Sequence, residues 1–361
     1  MNAMREVLSL ELTQRARSTR WRVLLIGWFV VLVGTVVLQT LFFDSVGPGM
    51  LGDEATWERA SAEAIASGTL LFVLLVGLMV APAQTATSIN GDRRDGVLAL
   101  IQAAPVSAWA VAVGKLLAAW LASLAFLLVS LPVLVWTVIR GGLPWWALLL
   151  GVAVVALLLL AISGMGLGLS ALTPRTASST MLVYLVVAVL VVGLPVSFLL
   201  SMPLTEHRET RQVAYMMRYE ENLDLDDTSS WCREETTEIR TLDTRGIAWL
   251  FLPNPVVILS DALPYTGDAP GVTPIVRDVV DRSFHEPEHQ PETCAELADS
   301  MRGPGDGEIT QATPRPEEGR PGWKWGPGLG INLLLGAAGV AFAHRRLKVP
   351  AGELPAGVRI A

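Results

Sequence analysis

Four groups of residues in this sequence have types and spacing that chemistry could use. His285, Glu286 and His289 fit H-E-x-x-H. On a helix that pattern places two imidazoles on one face of a zinc ion, with the glutamate as general base. Here Pro287 lies inside the motif and Pro291 follows it, so a continuous helix is blocked. No third ligand follows at a recognisable spacing. The expectation is a solvated loop, with adventitious metal binding and a membrane-anchored metalloenzyme as the other readings. No catalytic, cofactor-binding or metal residue is assigned. The chain contains neither a G-x-S-x-G nucleophile elbow nor a G-x-x-x-x-G-K-[ST] phosphate loop. Any ATP used must therefore be bound by another polypeptide.

The second group is the cysteines, Cys232 and Cys294, the two in the chain. They are expected to form a disulfide if their side of the membrane is oxidising. The third is Asp92, Arg93, Arg94 and Asp95, four charges in a row between long apolar runs. Gly91 and Gly96 bracket them and allow a tight turn. A short apolar helix should follow, with Val97, Leu98 and Ile101 on one side and Pro105 as its end. The fourth is Gly164 and Gly168, a GxxxG face supplemented by Ser163, Gly166 and Ser170. Inside an apolar span such a face lets two helix backbones approach. Whether the partner helix lies in the same chain or in another is open at this stage. A dinucleotide-loop reading fails for want of a strand–turn–helix context.

The elements that must position these groups are membrane spans. The chain is 52% hydrophobic and 17% charged, well below the quarter or so of charged residues in soluble domains. About 20 apolar residues cross a bilayer core, and six segments qualify. They are Val23–Phe43, Gly68–Ala86, Leu116–Ile139, Trp146–Leu172, Thr180–Met202 and Trp325–His344, with kinks expected at Pro132 and Pro195. The run before the first span is too long and too acidic for a signal-peptide leader, so that span is expected to be retained. The fold class is an α-helical polytopic membrane protein.

Arg5, Arg15, Arg17, Arg20, Arg22, Arg93, Arg94, Arg175, Arg345, Arg346 and Lys348 flank alternate connections. Both termini are therefore expected in the cytoplasm. Residues 203–323 carry 24 acidic and 11 basic residues, against a whole-chain balance of −7. They are expected to form an extracytoplasmic domain, mostly irregular or helical. Its first part, Arg208–Asp227, is expected helical from Val213, Met216 and Met217. Gly246–Pro264 is apolar but broken by Pro253-Asn254-Pro255, so it should lie on the outer membrane surface or bury against the spans. The remaining divisions are an interfacial helix over 1–22, with Met4, Val7, Leu8, Leu12 and Ala16 on one face, and spans one to five over 23–202. A coupling loop occupies 87–109, span six 324–345 and a cytoplasmic tail 346–361. Lys115 should anchor the inner end of the third span with its head snorkelling to the interface. The spans hold no Asp, Glu or His at mid-depth, which argues against proton-coupled transport. Nothing in the charge pattern points to nucleic acid.

With these elements in order, the sequence resembles the permease subunits of type-2 ABC exporters. The resemblance rests on Asp92–Arg93, Gly96–Val97, Leu98–Leu100, Pro105–Ser107 and Gly114–Lys115, and on the stretch from Gly166 to Ser179. It covers about Met1–Met202 and the last span. Asp92 stands where that family usually has Glu, Val97 where it has Thr, and the large insert is not general. The resemblance implies a half-channel in the lipid bilayer, working with a second permease copy or a homologous permease. It also implies separate ATPase subunits that bind ATP and Mg and contact Asp92, Arg93, Arg94, Asp95, Gly96, Leu98 and Pro105. Export of an amphiphilic or hydrophobic solute is the expected function. The alternative is a mechanotransmitting subunit that acts on envelope partners without transport.

Overall fold

The computed structural model describes residues 13, 17–47, 54–94, 96, 107–141, 143–217, 228–264, 271–285, 291–301 and 319–348. Among them are six helices long and apolar enough to cross a membrane. They fall where the six apolar runs place them. Spans one to four are α1 (Thr19–Val46), α2 (Glu54–Thr85), α4 (Ala108–Gly141) and α5 (Trp145–Leu172), with a short α3 (Asn90–Arg94) between the second and third. Span five is α6 (Thr176–Ala188), a π-helical turn (Val189–Gly193) and α7 (Leu194–Ser201), and span six is α11 (Trp325–Leu347). The interfacial helix expected over residues 1–22 lies largely outside the described residues.

Helix α2 starts well before its apolar run because Glu54–Gly68 is itself amphipathic. Trp57, Ala60 and Ala64 recur at helical spacing and are buried. Helix α5 is apolar all round and is the most enclosed of the six, as expected for a helix with no solvent face. Its small residues serve two neighbours. A Cβ on Gly164 would stand 2.6 Å from the Gly336 carbonyl oxygen of α11, and one on Gly168 would stand 2.6 Å from the Gly339 Cα. On another side, a Cβ on Gly166 would overlap Thr85 of α2. The GxxxG face therefore packs within the chain, against glycines of the last span.

Span five contains a local repair. Pro195 has no N–H, so the carbonyl of Val191, four residues earlier, loses its helical donor. The chain widens there into the π-turn, with the Leu194 N–H bonding to the Val189 oxygen. Asn254 supplies the missing donor, its Nδ2 lying 3.0 Å from the Val191 oxygen. The same side chain caps α8 (Pro255–Ala262), with Oδ1 accepting from the Val256 N–H at 2.8 Å and the Val257 N–H at 3.3 Å. Asn332 in α11 donates to the Pro253 oxygen at 2.9 Å. The Pro253-Asn254-Pro255 break is thus held by two spans. Helix α8 is buried along almost its whole length and packs on α2, α5 and α11. Of the two places expected for this apolar segment, the structure takes burial against the spans. Irregular backbone is tolerated at such a position only when protein groups satisfy it. Asn254→Ala should lower stability by about 2 kcal/mol, combining a lost cap with an orphaned carbonyl. Thermal unfolding of the detergent-solubilised chain, followed by tryptophan fluorescence, reads this loss.

The insert is not one body. Residues 252–277 and 318–361 belong to the same compact unit as spans one to four, and residues 195–251 and 278–317 form a second unit. Within the second, Arg208–Met216 is strand and not the helix expected, while 218–227 lie outside the described residues. Strands β1 (Glu206–Met216) and β2 (Cys232–Leu242) pair antiparallel, from Glu206 opposite Leu242 to Met216 opposite Cys232. The helical reading rested on three apolar residues spanning little more than one turn. Thr210, Val213 and Tyr215 favour strand, and the matching run Thr236, Thr237, Ile239, Thr241 gives β1 a partner. Cross-strand contacts add to the register: Gln212 donates to Glu234 at 2.8 Å and Tyr215 to Glu235 at 2.9 Å. Arg208 faces Arg240, and the repulsion is offset by Glu238 at 3.9 Å from Arg208 and Glu206 at 3.3 Å from Arg240.

The hydrogen bond to Glu235 pushes the Tyr215 phenol above its ordinary value. The Arg245 guanidinium holds the Asp243 carboxyl down to about 2. The ribbon is tied to α10 (Cys294–Met301) by the Cys232–Cys294 disulfide, beside a small core of Ala214, Trp231 and Ala298. Closing a loop of 62 residues should stabilise the chain by about 4 kcal/mol on the chain-entropy model. Cys294→Ser is therefore expected to loosen this unit. The check is limited proteolysis, where the wild-type chain treated with reductant should match the variant.

Candidate functional site

The charged turn after span two is built from both sides. Helix α2 runs through Pro82 to Thr85, whose hydroxyl donates back to the Ala81 oxygen at 3.1 Å. The next turn is gripped by α5: the Ser170 hydroxyl accepts from the Ile89 N–H at 3.0 Å and the Asn90 N–H at 3.3 Å. Asn90 also donates to the Arg175 oxygen at 3.5 Å. These bonds satisfy N–H groups at the start of α3, which has only five residues to satisfy them itself. Gly96, at φ 72°, ends the turn in the left-handed region, where a glycine has no steric penalty.

Within α3 the charges separate. Asp92 turns inward and its Oδ2 lies 2.6 Å from Lys115 Nζ, the two side chains being 24% and 5% exposed. Arg93 and Arg94 are exposed. Ile89, Val111, Ala112, Leu167, Ala171, Val340, Ala343 and Leu347 form an apolar cluster that joins the turn to spans three, four and six. Trp109 meets the His344 ring edge-on at 5.1 Å.

Lys115 is thus not the snorkelling anchor that its position suggests. A long cation at a helix end takes the nearest low-energy environment. Here the folded-back turn brings a carboxylate to it, so the ammonium is buried and paired. Of the residues expected to contact an ATPase, Asp92, Arg93, Arg94 and Gly96 are brought to one turn, with Asp92 spent on Lys115. Asp95, Leu98 and Pro105 lie outside the described residues. Lys115, Ser170 and Asn90 belong to this site, and sequence reasoning gave them other roles or none. Ser170 was visible only as one small residue in a packing face.

Of the other motif with chemical potential, His285 alone is among the described residues. His285 ends α9 (Val272–Phe284) with Nδ1 2.7 Å from the Asp281 oxygen. Residues 286–290 lie outside the described residues. Among the described residues no group of three or more His, Cys, Asp or Glu could hold a metal ion.

Residues 54–215 match the family model described as ABC-2 family transporter protein. No curated protein matches the chain. The matched stretch holds spans two to five, the α3 turn and the Asp92–Lys115 pair. Six apolar helices and that match agree: the chain is a multi-pass membrane protein whose residues 54–215 are similar to the ABC-2 family transporter proteins.

Proposed function

We propose that the chain is the transmembrane half of an ATP-driven exporter of an amphiphilic or hydrophobic solute. It works with a second permease, identical or homologous, and with separate ATPase subunits that bind ATP and Mg. The usual place of such a subunit is the bacterial plasma membrane. The carrying observation is the division of charge on α3. Arg93 and Arg94 point outward, where a partner groove can pair with them, while Asp92 is locked to span three and Ile89–Asn90 to span four. A push on the arginines is therefore passed to two spans at once. The orientation that puts α3 in the cytoplasm is supported by Arg345 and Arg346 in the last turn of α11. It is supported also by the disulfide in the insert, since disulfides persist in oxidising compartments.

Two measurements test this. Purification from native membranes should recover an ATPase chain and a second permease, and a chain that emerges alone overturns the proposal. Reversing Arg93 and Arg94 to Glu should lower ATPase recovery tenfold or more, since like charges brought together cost several kcal/mol. Membrane insertion should not change. A second reading is favoured by the disulfide-tied ribbon, which offers envelope partners a folded surface. In that reading ATPase work acts on a partner and no solute moves. Reconstituted transport with the cognate ATPase separates the two.

A further inference from the structure

Helix α9 is amphipathic, but its faces are reversed from those that water selects. Thr273, Arg277 and Asp281, four residues apart, form one stripe and are buried. Val272, Ile275 and Val279, also at helical spacing, are 55%, 62% and 51% exposed. A helix on a water-facing surface buries its apolar stripe and exposes its polar one. Here the polar stripe is satisfied inward. Arg277 Nη1 donates to the oxygens of Leu263 at 2.9 Å and Arg320 at 3.1 Å, and its Nε lies 3.9 Å from the Asp261 carboxylate. A buried charge is tolerated only while it is paired. The helix therefore cannot roll over to hide its aliphatic stripe without giving up these partners.

The depth of α9 decides what meets that stripe. A Cβ on Gly271, just before the helix, would stand 3.3 Å from the Ala64 Cβ of α2. A Cβ on Gly141, at the end of α4, would stand 3.1 Å from the Ala62 oxygen of the same stretch. Gly141 lies between Trp136 and the Trp145–Trp146 pair, all three exposed. Exposed tryptophans at span ends mark the headgroup level of a bilayer. Helix α9 thus begins at headgroup level, in the leaflet opposite α3. At that level an interfacial helix sinks its apolar face about 5–10 Å into the boundary between heads and acyl chains. Beside the stripe Arg282 donates to Asp278 at 2.8 Å, a closed ion pair that adds no net charge. The face therefore suits zwitterionic phospholipid.

The structure assigns α9 as a lipid-docking helix whose Val272, Ile275 and Val279 insert among the acyl chains of that leaflet. Seated in this way, it links the bilayer surface to the start of span six. Arg277 approaches Asp261, which accepts from the Trp325 N–H at 2.8 Å and is approached by Lys324 at 3.9 Å. Docking needs neither ATPase nor solute, so its test stands apart from that of the proposed function.

The test uses the full chain in phosphatidylcholine nanodiscs, with cysteine introduced singly as Ile275→Cys, Val279→Cys and Glu54→Cys. The native cysteines are joined to each other and stay unlabelled without reductant. Glu54 is exposed and lies about 15 Å along α2 from Ala64, on the side away from the apolar run. An environment-sensitive fluorophore at position 275 or 279 should emit further to the blue than one at position 54. It should lose fluorescence to phosphatidylcholine bearing a nitroxide near the head of an acyl chain, and keep it when iodide is added to the water. At position 54 iodide should quench more strongly than the lipid nitroxide. In native membranes, copper phenanthroline should not join two Ile275→Cys chains. The inference is overturned if the lipid nitroxide leaves positions 275 and 279 unquenched. Quenching there by iodide would mean a face open to water or to an envelope protein. A disulfide joining two chains at position 275 would also overturn it, by showing a second copy on this face.

Discussion

Lys115→Met will destabilise the folded chain by about 3 kcal/mol. Removing one member of a buried ion pair leaves the other charged and uncompensated, which costs about 3–5 kcal/mol. The lower figure applies here because Asp92 keeps a quarter of its surface exposed and can recruit water. The double variant Lys115→Met, Asp92→Leu removes both charges and should recover most of the loss, since an apolar pair of similar volume often matches a buried salt bridge. Thermal unfolding of the four proteins in one detergent forms the cycle. A coupling energy near zero would show that the pair does not hold α3 to span three.

Gly168→Ala is expected to be nearly as damaging although it adds one methyl. The new Cβ would stand 2.6 Å from Gly339 Cα and 2.8 Å from the Gly339 oxygen. Both are backbone atoms of another helix, so relief requires moving α11 as a body. Overpacking of this kind costs about 1–3 kcal/mol. Gly34→Ala is the control of opposite sign. Nothing lies within 4 Å of a Cβ there, and alanine is the better helix former by up to about 1 kcal/mol. A lowered melting temperature for the first and a raised or equal one for the second is the expected result. Equal behaviour would mean that the α5–α11 seam is looser than its geometry.

The six spans were legible because a bilayer demands long apolar runs, and such runs need no tertiary information to be seen. The small-residue face of α5 was legible for the same reason, but its partner was not. Gly336 and Gly339 lie in a far span, and sequence alone could not choose between that span and a second chain. The Arg208–Met216 strand was misread because Val213, Met216 and Met217 fit one helical turn, while the evidence for strand lay in a partner beginning at Cys232. Lys115 was misread because its partner is supplied by a turn that folds back, and that fold depends on Ser170 of a third element. Asn254 could have been found: a proline in a span orphans one carbonyl, and an asparagine between two prolines in an apolar stretch is a donor with few other uses.

The glycine seam between α5 and α11 also sets an order of events during synthesis. The two halves of the seam are separated by the entire insert, well over a hundred residues. At about 5–20 residues per second the ribosome needs on the order of ten seconds to make that stretch. Through that interval α5 sits in the bilayer with its closest neighbour not yet made. The tightest joint in the bundle is therefore the last to close, and a chain cut short before Trp325 would leave a small-residue groove open to lipid or to the helix of another protein.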